Sequence, residues 1–354
     1  MLSGYLNACL RELALRPDVD LFVSYFPPHQ DAPFDDDQFA WIPKQFVWRS
    51  DADLDSLDTK LDAFKPDAIV LCGWGVAGYR KLSRKWKSGS VRILAMDNHW
   101  LGTPRQWAGV VSAPLFVRRL ADAIWVPGER QAQFARKLGF QKILSGLYSC
   151  DTAKFSAIYN AQTQSKRNAE PSFLFVGRMI KIKGIATLAS AYKLYRSRTP
   201  NPWPLVCCGH GPLVSLLEGV PGVRSHGFIQ PDELPEIMAK ASCLVLPSEF
   251  DPFPLVILEA TTAGLVILAS EEVGNVPHLV QNKYNGFTFP ADDAEELSRM
   301  MEEVSQSSDE KLNRMAEASS LLARQFTPQR WADTLLDFSE RKRKSPNQEL
   351  LKSA

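Results

Sequence analysis

Short β-branched apolar runs alternate with longer amphipathic segments from one end of the chain to the other, and that rhythm leaves few folds open. Each run is too short for a helix, and each intervening segment is long enough to cross between parallel strands. The pattern therefore reads as βα units building parallel sheets. In the first half the strand candidates are Val19 to Tyr25, Ala68 to Cys72, Arg92 to Met96, Ala123 to Val126 and Ile143 to Leu147. A second series follows at Phe173 to Val176, Leu205 to Cys208, Val223 to Ser225, Cys243 to Leu246, Leu265 to Ala269 and Phe287 to Phe289.

A chain of 354 residues exceeds one typical domain. The polar, aperiodic stretch 157–171 fits a linker, which divides the chain into an N-terminal domain 1–156 and a C-terminal domain 172–325, with a last helix over 326–345. A doubly wound domain ordinarily opens on a buried strand and a glycine-bearing turn. This chain opens on a helix, Gly4 to Leu15, whose stripe Leu6, Cys9, Leu10 and Leu13 expects a sheet to cover, so the first strand of the N-terminal domain reads as missing.

With 41 Lys+Arg against 40 Asp+Glu, no overall field draws nucleic acid, and a charged ligand must be met by a local site. The six cysteines show no metal or redox spacing, and four lie in apolar runs, as small core residues of a reducing compartment. No apolar run is long enough to span a bilayer, and Arg11 and Glu12 interrupt any secretory core, so a cytoplasmic protein is expected. Basic clusters at Tyr79 to Arg92 and Arg341 to Lys344 read either as solvated faces or as peripheral contacts with an anionic membrane.

Polar residues recur at the carboxyl ends of the second strand series, the edge where open α/β sheets bind ligands. The first such segment runs from its strand into Gly177 and Arg178 and reaches Lys183 as a helix opens, a setting that suits a diphosphate. Read singly, both cations are equally ordinary surface charges. Gly209, His210 and Gly211 follow the next strand, where glycines permit close approach of the backbone to a ligand or simply turn the chain. Phe228 and Ile229 lie where an apolar pair covers a flat base or staples a helix entry.

The fourth segment is the most specific: Asp251, Pro252, Phe253, Pro254 and Leu255 lead into a helix carrying Glu259 among apolar neighbours. An unpartnered carboxylate there costs several kcal/mol (about 2 or more), so Glu259 needs hydroxyl donors such as those of a ribose, or a core cation. Asp251 is placed to meet sugar hydroxyls. A fifth segment, Ser270 to Val280, offers Asn275 as a helix cap. In the first half, His99 stands beyond the strand Arg92 to Met96, as a contact to sugar or acceptor or as a structural donor. Arg105, a little further on, is a partner for an acceptor phosphate or an ordinary surface charge.

Taken in order, VGRMIKIKG, GHGP, HGFIQPDEL, the Asp251 to Glu259 segment, EEVGNVPHLV and NGFTF resemble the retaining glycosyltransferases of family 4, also called glycosyl transferases group 1. The resemblance implies a GT-B fold, two Rossmann-like doubly wound parallel-sheet domains facing a central cleft. It assigns Arg178 and Lys183 to the donor diphosphate, Glu259 to the ribose, Asp251 to the donor sugar and His99 to a sugar contact. The first acid here is Asp where the family has Glu, and Pro254 replaces a glycine. The partners implied are a nucleotide sugar and a glycan or lipid-linked acceptor in polysaccharide or glycoconjugate synthesis, with neither cofactor nor metal. Transfer would proceed with electrostatic stabilisation of the leaving diphosphate, whose oxygen takes the acceptor's proton. Two rival readings are a nucleotide-sugar-binding protein with an impaired N-terminal domain and a nucleotide-sugar epimerase of the same fold.

Overall fold

The computed structural model describes residues 4–27, 39–50, 53–164 and 170–344. The chain divides into two compact units, residues 1–149 with 328 onward, and residues 150–327. The division falls ahead of the expected linker. Helix Thr152–Gln164 belongs to the second unit, with Phe155 and Ile158 buried; residues 165–169, within the expected linker, and residue 345 lie outside the described residues.

Twelve strands are seen among the described residues. In the first unit β1 (Phe22–Tyr25) pairs in parallel with β2 (Lys44–Val47), while β3 (Ala68–Cys72), β4 (Val91–Ala95), β5 (Ala123–Val126) and β6 (Ile143–Ser145) form a separate parallel sheet in that order. Strand β2 has no counterpart among the sequence expectations. Its residues KQFV begin with two exposed polar side chains, so the run shows little of a buried strand's apolar pattern.

Both sheets share one core. Val23 of β1 and Ile93 of β4 lie with Cys9, Leu10 and Leu13 of helix Gly4–Ala14 and with Trp331, Ala332 and Leu335 of helix Pro328–Lys344. The expected apolar stripe of the opening helix is thus buried. The last helix is fixed to the first unit by the Trp331 indole donating to the Leu147 carbonyl at 2.8 Å, by ring packing on Trp125 at 4.9 Å, and by Arg16 on Asp333 at 2.7 Å.

The second unit holds β7 (Phe173–Val176), β8 (Leu205–Cys208), β9 (Val223–Gly227), β10 (Cys243–Leu246), β11 (Val266–Ser270) and β12 (Gly286–Phe289). All pair in parallel, in the order β12, β11, β10, β7, β8, β9. Strands β10 and β11 are buried along their whole length, as expected of a sheet covered on both faces. The cysteines here are core residues: burial pushes Cys207 up to about 12 and Cys208 to about 11, out of reach of thiolate chemistry at neutral pH. No helix among the described residues is long and apolar enough to cross a membrane.

Candidate functional site

Strand order in the second unit reverses between β7 and β10, and ligands of open α/β sheets bind outside the carboxyl ends of strands at such a point. Strand β7 runs out through Gly177 and Arg178 to a tight turn at Lys181–Lys183, and Gly184 in the left-handed region (φ 68°) then starts helix Ile185–Arg198. A Cβ on Gly184 would lie 2.0 Å from the Pro247 carbonyl oxygen, in the loop after β10. Only glycine allows the two loops to meet there. Close by, the Glu249 amide donates to the Ile182 carbonyl at 2.9 Å.

This docking of loops carries Lys183 onto Asp251. The ammonium is bonded to the carboxylate, with side-chain exposures of 17% and 9%. Burial raises the Asp251 carboxyl above its usual range, and Lys183 and then Arg178 offset only part of that rise. Arg178 is therefore within electrostatic reach of the pair, yet its exposed side chain has no partner among the described residues. The sequence placed Lys183 on a diphosphate and Asp251 on a sugar as separate contacts; the structure bonds them to each other.

The loops after β7, β8 and β9 are knitted by main-chain bonds: Gly177 to the Cys208 carbonyl at 2.9 Å, Met179 to the His210 carbonyl at 2.8 Å, and Gly209 to the Gly227 carbonyl at 2.6 Å. Added Cβ atoms would lie 1.9 Å from the Gly177 oxygen at Gly209 and 2.5 Å from the Met179 oxygen at Gly211. These glycines thus let neighbouring loops touch each other, a role beyond the ligand approach expected of them. His210 is exposed, its ring edge-on to Phe228 at 5.8 Å, and Phe228 and Ile229 are half-buried beside it.

After β10 the chain passes Asp251, which bridges to Val273, and enters helix Leu255–Thr262 behind Pro254. Pro252 and Leu255 are half-buried, whereas Phe253 is 5% exposed with its ring 5.8 Å from that of Phe326. Phe253 therefore packs the core. The Glu259 carboxylate, partly exposed, has no hydrogen-bond or ion-pair partner among the described residues, so the core cation considered for it is not there. Desolvation lifts it to about 7.

Sequence reasoning misread one neighbour and missed another. Asn275 does not cap its helix; its amide nitrogen donates to the Pro254 carbonyl at 2.7 Å, and its Oδ1 is buried without a partner. Ser248 Oγ is likewise buried and unpaired, while its carbonyl accepts from Ser270. Buried polar atoms without partners are rare enough to mark a region built around something besides packing. No sequence motif flags Ser248, which reads as a loop serine.

Residues 160–321 match the family model for glycosyl transferases group 1, a span lying wholly within the second unit. Over that span the chain is similar to glycosyl transferases group 1. Among similar curated proteins, an uncharacterized glycosyltransferase of Methanocaldococcus jannaschii is 34% identical over 33% of this chain and 31% of its own length. A sulfoquinovosyl transferase of Arabidopsis thaliana is 26% identical over 67% of this chain and 49% of its own length. The matched parts thus span from under a third to about half of those relatives. In fold, the chain is similar to Anabaena HepE, solved with UDP and glucose: the TM-score is 0.69 at 16% identity, covering 96% of this chain and 97% of the other. The fold class is GT-B, with two Rossmann-like units.

In the second unit the strand-order reversal brings together Arg178, Lys183 and Asp251; Glu259 lies on the helix that follows β10, and Gly177, Gly209 to Gly211 and Phe228 to Ile229 lie in the loops after β7, β8 and β9. The remaining two expected site residues belong to the first unit. His99 is 5% exposed beyond the carboxyl end of β4, its carbonyl accepting from Gln106 at 2.7 Å; Arg105, exposed, is the second residue of helix Pro104–Ser112. Chemically, the switch point offers one unpaired guanidinium, one ammonium held by a carboxylate, and one carboxyl poised between its two protonation states at neutral pH. Among the described residues no three His, Cys, Asp or Glu side chains gather as a metal site.

Proposed function

We propose that the protein transfers a sugar, with retention of configuration, from a nucleoside-diphosphate donor to a glycan, lipid-linked or other acceptor. The observation that carries this reading is the meeting of Arg178, Lys183 and Asp251 at the strand-order reversal, with the unpaired Glu259 on the next helix. In this proposal a donor diphosphate takes the free guanidinium of Arg178 and draws Lys183 from Asp251. The released Asp251 carboxylate then accepts from hydroxyls of the donor sugar. Glu259 accepts from the ribose hydroxyls, and those bonds favour its ionised form.

Positive charge placed before reaction stabilises the departing diphosphate, and its phosphate oxygen takes the proton of the acceptor hydroxyl. Side chains supply the neutralising charge in this scheme, and the reaction is read as independent of metal. His99 and Arg105 are assigned to the sugar and to the acceptor. The names of the matched glycosyltransferases and the UDP bound by the Anabaena protein support a nucleotide-sugar donor.

Calorimetric titration with UDP, GDP and ADP, followed by incubation with the nucleotide sugars of the base that binds, tests the proposal. Transfer or slow hydrolysis of the donor supports it; absence of binding by all three removes it. A second reading, a nucleotide-sugar-binding protein without turnover, is favoured by the divided sheet of the first unit. Ligand protection with an intact donor after long incubation would select that reading.

A further inference from the structure

Helix Pro104–Ser112 has no buried residue. It rests on the core through half-buried Val110, through the Trp107 ring edge-on to half-buried Trp100 at 5.1 Å and, just beyond its end, through buried Ala113. Trp107, Val111 and Leu115 nonetheless follow at helical spacing and are 55%, 78% and 63% exposed, the Phe116 amide bonding the Ser112 carbonyl at 3.2 Å in a further turn after the helix. Leu101 and Phe116 are exposed as well. A soluble surface scatters such side chains singly, whereas here five fall within one short segment.

Charge says what would cover them. From Asn98 to Ala121 there is no acidic residue, and Arg105, Arg118 and Arg119 are exposed without side-chain partners among the described residues. The basic clusters picked out by sequence differ. In the first, Lys85 is paired with Asp58 and Asp62 and Arg92 with Asp122, and although Lys81, Arg84 and Lys87 are exposed without partners among the described residues, no large apolar side chain is exposed beside them. In the second, Arg341, Arg343 and Lys344 are paired with Asp337, Asp67 and Glu340. The Arg92 guanidinium also donates to the Arg119 carbonyl at 3.1 Å, so the main chain bearing two of the free arginines is anchored. A second copy docked face to face on this patch would set three unpaired arginines against their own equivalents, which like-charge repulsion opposes. An apolar ridge rimmed by free arginines complements a surface that is oily within and anionic at its boundary.

We propose that the segment 101–119 docks the protein on an anionic lipid bilayer, with Trp107, Val111, Leu115 and Phe116 entering the acyl boundary and Arg105, Arg118 and Arg119 meeting lipid phosphates. The proposal does not depend on the reading of the donor site.

Co-sedimentation with phosphatidylcholine vesicles, with and without about one third phosphatidylglycerol, tests it. The wild-type chain is expected to bind the anionic vesicles, more weakly as salt is raised, and the neutral ones little. Val111→Glu/Leu115→Glu should lower partitioning at least about tenfold, and Arg118→Ala/Arg119→Ala by a similar factor with a shallower salt dependence. Both pairs should keep the wild-type melting temperature and nucleotide affinity. Failure of the wild-type chain to bind anionic vesicles overturns the proposal, as does undiminished binding by both pairs. Conversion of a dimer to a monomer by Val111→Glu/Leu115→Glu, with vesicle binding unchanged, would assign the patch to a second copy and also overturn it.

Discussion

The Lys183 ammonium is bonded to the Asp251 carboxylate across 68 positions of sequence, with the Arg178 guanidinium near enough to pull on the same acid. An anion entering this site competes with Asp251 for Lys183. Asp251→Asn therefore frees Lys183 and should leave UDP affinity equal or higher while lowering sugar transfer. Lys183→Ala should weaken UDP binding more than about tenfold, the worth of a charge-assisted bond in a partly buried site. Titration calorimetry on both variants checks the pair, and equal losses of UDP affinity would contradict the competition.

Glu259 makes donor binding sensitive to pH. Its carboxyl is raised by burial to about 7, and hydrogen bonds from ribose hydroxyls favour the ionised form. Affinity should fall as pH drops through 7 and level off well below it. Glu259→Gln should bind more weakly at pH 8 and lose this dependence. Affinities measured from about 1.5 pH units below to about 1.5 above this value of about 7 decide the matter.

The same shift fixes a sign for stability. Because the folded carboxyl holds its proton more tightly than the unfolded one, this group's contribution is fully present below 4.5 and is lost as pH rises through 7. Glu259→Gln should accordingly raise the melting temperature at pH 8 and have little effect near pH 4. After allowance for partial exposure the gain is on the order of 1 kcal/mol. Thermal denaturation at the two pH values reads it out.

Gly184→Ala places a methyl group 2.0 Å from a carbonyl oxygen at a left-handed position. The loops after β7 and β10 would have to part, at a cost of about 2 to 3 kcal/mol, and Lys183 would be carried away from Asp251. Loss of both melting temperature and UDP affinity is expected, measured by calorimetry.

In the first unit Arg92 is 5% exposed and holds Asp122 at 3.3 Å together with the Ser83 and Arg119 carbonyls. Arg92→Ala strands that acid and those carbonyls and should destabilise the unit by roughly 3 kcal/mol. Because the site at the β7–β10 reversal lies in the other unit, UDP affinity should hold at temperatures where the variant remains folded.

How much of this was legible beforehand depended on the range of the interaction. Phe173 to Val176 and Cys243 to Leu246 could be placed as strands because a doubly covered sheet writes itself as an unbroken apolar run. Asp251 and Glu259 stood out for a local reason, acids bracketing an apolar helix start. The Lys183–Asp251 bond could not be read, since no periodicity links residues so far apart. Gly209 and Gly211 were seen, but their use in seating one loop against the next depends on strand order. The strand Lys44–Val47 escaped notice because half of it is polar and exposed.

The divided sheet of the first unit has a consequence for handling the protein. Strands β1 and β3 each end a sheet on an apolar run, with amide and carbonyl groups on that side taken up by no neighbouring strand among the described residues. Such an edge is a template for any extended chain that drifts alongside, including one from a neighbour in a crowded preparation. Self-association on concentration should therefore begin in this unit, and precipitation on warming should set in before the continuous six-stranded sheet melts.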